Sequence, residues 1–162
     1  MVPLLGGACG GPLGGYLNDY LIRRTGSRRW ARRLVGLAGK GTAAVLLLGG
    51  VLFCYDDPVT FSATLFFVKV FSDWSLAGSW GTVTDIGGQA TATVFAYNNT
   101  VASVGAVVAS PLIGRLAASQ GWVSVFWAVV AVYALCAASW LLIDCTIPLL
   151  AERESEPLQS SD

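Results

Sequence analysis

Five long apolar stretches joined by short connections constrain this chain more than any motif it carries. A bilayer core about 30 Å thick is crossed by roughly 20 apolar residues of α-helix. The stretches fall at 2–17, 34–54, 59–84, 90–114 and 122–143, with "YDDP", "DIGGQ" and "RLAASQG" among the connections. Soluble helices of such length show a polar face, and these show almost none. The pattern predicts an all-α membrane protein with five transmembrane helices, followed by a disordered acidic tail over 151–162.

Composition agrees. Of the 162 residues 54% are hydrophobic and 12% charged, against about 25% charged in soluble domains. The few charges are clustered. Arg23, Arg24, Arg28, Arg29, Arg32 and Arg33 crowd one connection, and Glu152, Glu154, Glu156 and Asp162 lie in the tail. Lys and Arg in short loops set membrane orientation. The 20–33 connection is therefore expected on the cytoplasmic side, "YDDP" outside, "DIGGQ" inside, "RLAASQG" outside and the C-terminus inside. Arg115 in an outer loop is outweighed by the six arginines. Lys40, the only charge in the second stretch, is expected to snorkel toward the arginine end. The N-terminus lacks a basic stretch before its first apolar run, so insertion is expected to rest on the helices themselves.

Gly6, Gly10 and Gly14 recur every four residues, and so do Gly7, Gly11 and Gly15. Such stripes let helix backbones approach closely in lipid. Pro12 in the same segment is expected to bend or distort the helix. Cys9, Cys54, Cys136 and Cys145 form no CxxC pair and histidine is absent. A zinc site is not indicated, and the thiols read as buried and structural. Neither a nucleophile with its base nor a phosphate-cradling loop is recognisable. An enzyme is not expected, nor a cofactor, nor a nucleic-acid partner.

The stretch "GGYLNDYLIRRTGSRR" resembles the loop signature of the major facilitator superfamily, a glycine and an acid followed by glycine and paired arginines between two helices. Gly15 and Asp19 match its first half, and Gly26, Arg28 and Arg29 its second, with a longer spacing between the halves. Further along, "TATVFAYNN", "SPLIG", the Gly121–Trp122 pair and "SWLLIDCTIPL" resemble, in order and spacing, helices 10 to 12 of anion:cation symporters, the organic-anion branch of that superfamily. The resemblance implies that the five helices correspond to helices 8 to 12 of a twelve-helix transporter. Helix 7 and the N-terminal half would then lie outside this chain, which is either a gene fragment or a subunit completed by another chain. It also implies that the loop acid and arginines form an inter-helix charge network locking one transport state. The positive-inside role alone would equally place those arginines.

Lys69 and Asp73 stand i, i+4 near the middle of the third stretch. They read either as cavity-lining groups that meet an anionic substrate or a coupling proton, or as an ion pair that neutralises itself. Ser79, Trp80, Asn98 and Asn99 are candidates for substrate contact, since the resemblance turns a polar residue and Trp on helix 10 and an Asn on helix 11 toward the cavity. Interhelical hydrogen bonding is the other reading for the amides. Adjacent residues on a helix point 100° apart, so only one of Asn98 and Asn99 is expected to face the cavity. Asp85 reads as a cap for the following helix. The function expected is secondary active transport of small organic anions such as sugar acids, coupled to H⁺ or Na⁺, in an inner cell membrane. A non-transporting structural or assembly subunit, or a non-functional gene fragment, is the alternative.

Overall fold

The structure, a computed structural model, describes residues 2–147. The acidic tail expected over 151–162 lies outside the described residues. Among those described, five α-helices occur and no strand: α1 Val2–Thr25, α2 Arg28–Gly49, α3 Pro58–Gly87, α4 Thr91–Gln120 and α5 Trp122–Ser139. A π-helical turn, Gly50–Cys54, extends α2, and a 3₁₀ turn, Gly88–Ala90, joins α3 to α4. Three segments are long and apolar enough to cross a membrane: Arg28–Cys54, Pro58–Gln120 and Trp122–Ser139. The second has 63 residues, ample for two crossings at about 20 residues each.

The connection expected over 20–33 is almost entirely helical. Gly26 takes φ +67°, the left-handed conformation that ends helices and favours glycine, and its N–H donates to Ile22 O at 2.9 Å. Ser27 then caps α2, its hydroxyl accepting from the Trp30 N–H at 3.4 Å. A Gly-Ser pair thus turns the chain in two residues and leaves all six arginines on helices. Arg23 and Arg24 fall in the last turn of α1, where the helix dipole favours cations. At the other end, Asp57 caps α3 by accepting from the Val59 N–H at 3.1 Å and from the Thr60 hydroxyl, with Pro58 in the first turn, a position where its missing N–H costs nothing.

One glycine stripe is the seam between α1 and α3. A side chain at Gly6, Gly10 or Gly14 would strike the backbone at Phe66, Val70 or Trp74 respectively, so two four-residue spacings interlock. In the other stripe Gly7 lies over Lys69 and Asp73, Gly15 reaches Ala77, and Gly11 faces open space. The helix continues unbroken through Pro12. Ala43 and Leu47 of α2 and Val68 of α3 form the buried core, with Phe126, Val129 and Tyr133 of α5 packed against it. Trp140, just past α5, lies against Gly36 of α2.

By contrast α4 touches only its chain neighbours α3 and α5 and the turn leading into it, and none of its residues is buried. Lipid supplies no hydrophobic drive between helices, so association depends on close packing and polar contacts. Within the described residues α4 approaches α3 at its first turns, where the Thr91 hydroxyl donates to Thr84 O at 3.4 Å and Val94 nears Gly87.

Candidate functional site: charged and hydroxyl groups among apolar helices

Lys69 Nζ donates to both carboxylate oxygens of Asp73, at 2.7 and 2.8 Å. A charge at mid-bilayer costs about 2.5–3.5 kcal/mol on insertion scales, and pairing within one turn offsets part of that for each partner. Cation before anion is the weaker order along a helix. Tertiary packing helps hold the pair: a Cβ at Gly7 would stand 2.6 Å from Asp73 Oδ2, so α1 presses its bare backbone onto the carboxylate.

Lys40 does not snorkel to the arginine end. Its ammonium donates to Ser72 Oγ of α3 at 3.1 Å and stands 5.6 Å from the centre of the Tyr133 ring of α5. Ser72 precedes Asp85 by thirteen positions, about 20 Å of helical rise, so Lys40 is directed into the middle of the bundle. A cavity of about 330 Å³ between α2, α3 and the end of α5 is lined by Lys40, Ser72, Asp73, Ser75, Ser79 and Ser139. Ser79 donates to Ser75 O at 2.9 Å and Ser139 to Cys136 O at 2.7 Å. The lysine met a polar partner nearer than the interface, which is why the expected direction failed.

Lys69, Asp73 and Ser79 share α3. Trp80, one residue on from Ser79, is 58% exposed. Asn98 and Asn99 are exposed on α4, and the structure does not bring them to the α3 groups. One buried amide escaped the sequence reading: Asn18 is 6% exposed, and its Oδ1 has no hydrogen-bond partner among the described residues.

The arginines that open α2 form a clamp. Arg28 and Arg32, one turn apart, both address Asp85, at 3.4 and 2.8 Å. Arg29 and Arg33, the next such pair, address the segment after α5: Arg29 Nη1 is 2.9 Å from Asp144 Oδ2 and Arg33 Nε donates to Ile143 O at 2.6 Å. Four cations at a helix N-terminus oppose its dipole, so the two aspartates compensate the field as well as tie α2 to α3 and to the chain beyond α5. Asp85 is thus no cap. It lies within the last turn of α3, before α4 begins, and turns back to the arginines. Asp19 and Gly15 lie on α1; Asp19 is exposed and joins no ion pair among the described residues. The Thr146 hydroxyl and backbone N–H, then Arg29, hold the Asp144 carboxyl below the ordinary carboxylate range.

Of the four thiols only Cys145 is buried; Cys54 and Cys136 are half-buried and Cys9 is exposed. The expectation of buried thiols holds at Cys145 alone and fails most plainly at Cys9, which is exposed although Gly6 and Gly10 on either side of it sit in the seam with α3. No group of metal-ligating side chains occurs among the described residues.

Apolar helices that carry half-buried charges at mid-depth and lock arginines at one end make an all-α, multi-pass membrane protein. The sequence matches the Major Facilitator Superfamily over residues 1–160, and the chain belongs to that superfamily, a family of transporters. It is 30% identical over 126 residues to the probable sulfoacetate transporter SauU of Cupriavidus necator, a match covering 74% of this chain and 27% of the relative. The match thus takes in about a quarter of that relative's length. No solved structure matches the chain.

Proposed function

We propose that the chain is the C-terminal part of a secondary active transporter of the anion:cation symporter branch, corresponding to helices 8 to 12, which moves small organic anions by alternating access coupled to H⁺ or Na⁺. The observation that carries this reading is the placement of Lys69 and Asp73 as a mid-helix charged pair, an expensive arrangement that in membrane proteins marks solute and ion paths. Likeness to a probable sulfoacetate transporter supports a small anion as solute, with a sugar acid as the other candidate class. Ser79, Trp80, Asn98 and Asn99 join Lys69 and Asp73 as the proposed substrate-contacting set, completed by the N-terminal transporter half. The arginine clamp is proposed to lie on the cytoplasmic face of the cell membrane and to hold one transport state. Joining the chain to a complementary N-terminal transporter half and measuring uptake of labelled sulfoacetate and of sugar acids into proteoliposomes, with and without an imposed H⁺ or Na⁺ gradient, tests the reading. Uptake that follows a gradient supports it; a complete carrier inert to every small organic anion refutes it.

A second reading draws on α4, none of whose residues is buried. Such a helix also suits a non-transporting assembly subunit, whose partner would cover it.

A further inference from the structure

The chain contains two lysines, Lys40 and Lys69, and both are directed among the apolar helices. Among the described residues only Lys69 pairs with a carboxylate. Lys69 takes both oxygens of Asp73, which makes that pair neutral as a unit and leaves the charge of Lys40 with a hydroxyl and an aromatic face as its nearest partners. We propose that the cavity between α2, α3 and the end of α5 binds an oxyanion, a carboxylate or sulfonate group, with Lys40 as its cation.

The walls fit that ligand class. Ser72 is buried and accepts from Lys40 at 3.1 Å, while its own proton meets no acceptor among the described residues and is free for a guest. The hydroxyls of Ser75, Ser79 and Ser139 donate to backbone carbonyls of the preceding turn. Those carbonyls lie within helices, so each hydroxyl can rotate to a stronger, charged acceptor at small loss. Asp73 also lines the cavity, and its repulsion is cancelled by Lys69 at hydrogen-bond distance. Lys40 and Asp73 in the lining cancel, and Lys69, paired with Asp73 from outside the lining, leaves one net positive charge beside the cavity. At about 330 Å³ the space holds a multi-atom group together with water, whose share of the liquid is about 30 Å³, and the spread of hydroxyls suits several oxygen atoms better than one monatomic ion. The site does not require the transport reading.

The test uses the 162-residue chain with ¹³Cε-labelled lysine in lipid nanodiscs, where two side-chain resonances are expected. Acetate and methanesulfonate serve as probes, with chloride at equal ionic strength as the reference. Each probe should shift the Lys40 resonance with saturation, while Lys69 stays in place. Lys40→Met assigns the signals by deletion, and Lys69→Met does the same if the first variant fails to fold, as read by circular dichroism. Ser72→Ala should raise the half-saturating concentration roughly 2- to 13-fold, the effect of one lost hydrogen bond. An equal response to chloride, a shift of Lys69 alone, or an unchanged half-saturation in Ser72→Ala overturns the site. Because uptake plays no part in the readout, a restored carrier that transports nothing would defeat the transport reading and leave this one standing.

Discussion

Arg32 of α2 and Asp85 of α3 meet at 2.8 Å, the guanidinium only 7% exposed and laid against Gly81. Neutralising Asp85 leaves a buried cation behind, whereas Arg28, at 3.4 Å from the same carboxylate, is 67% exposed. Asp85→Asn should therefore lower stability by about 1–3 kcal/mol, the cost of leaving a buried polar group uncompensated, and Arg28→Gln by less than about 1 kcal/mol. Gly81→Ala should resemble Asp85→Asn, since a Cβ there would stand 2.7 Å from Arg32 Nη2. Thermal unfolding in detergent, followed by tryptophan fluorescence, ranks the three; equal effects of Asp85→Asn and Arg28→Gln would contradict the clamp.

The α1–α3 seam predicts opposite outcomes at adjacent glycines. A Cβ at Gly10 would strike the Val70 backbone, while Gly11 faces open space. Gly10→Ala should cost about 1–3 kcal/mol by overpacking, and Gly11→Ala should stay within about 0.5 kcal/mol of the parent. The same unfolding measurement decides it, and a tolerant Gly10 would mean that the helices are not in this register.

Acid should loosen both ends of the bundle. The Thr60 hydroxyl and the Val59 N–H hold Asp57 low, as Thr146 and Arg29 do Asp144. A folded value below the unfolded one, about 3.9 for Asp, gives stability that is fully present above that unfolded value and is lost as pH falls through the folded one. Melting temperature should hold above about pH 5 and drop as pH falls below about 4, less steeply in Asp144→Asn. A profile unchanged by that substitution would remove Asp144 from the acid response.

In the restored carrier, Lys69→Ala should weaken anion uptake more than Asn98→Ala or Asn99→Ala, because charged hydrogen bonds are worth about 1.5–3 kcal/mol and neutral ones about 0.5–1.5. Each asparagine change corresponds to roughly 2- to 13-fold in apparent affinity, and Trp80→Ala should remove an apolar wall for the carbon skeleton. The loss at Lys69 should persist when Asp73→Ala is added. Recovery of uptake in the double variant would show that the two residues only neutralise each other.

Orientation is tested on a background with the native cysteines replaced. A membrane-impermeant thiol reagent applied to intact cells should label Asp56→Cys and spare Ser27→Cys. Labelling at Ser27 would invert the topology.

The sequence by itself determined that this chain folds as apolar membrane helices, because apolar runs of that length, with so few charges, satisfy their backbone hydrogen bonds in lipid as helices. Helix ends also carry local signals, which the apolar stretches alone did not use: Gly26-Ser27 and Asp57-Pro58 end and cap helices through the residues beside them. The glycine stripes were visible too, but not which one would be used. Pairing across space was hidden. "RRWARR" places Arg28 with Arg32 and Arg29 with Arg33, one turn apart, yet nothing in that spacing says that one pair meets Asp85 and the other the chain beyond α5. Lys40 could reach an interface or a hydroxyl, and Ser72, distant in sequence, decided it. Only the tertiary structure settles such choices, because a long charged side chain goes to whichever partner the packing of other helices brings within hydrogen-bond distance.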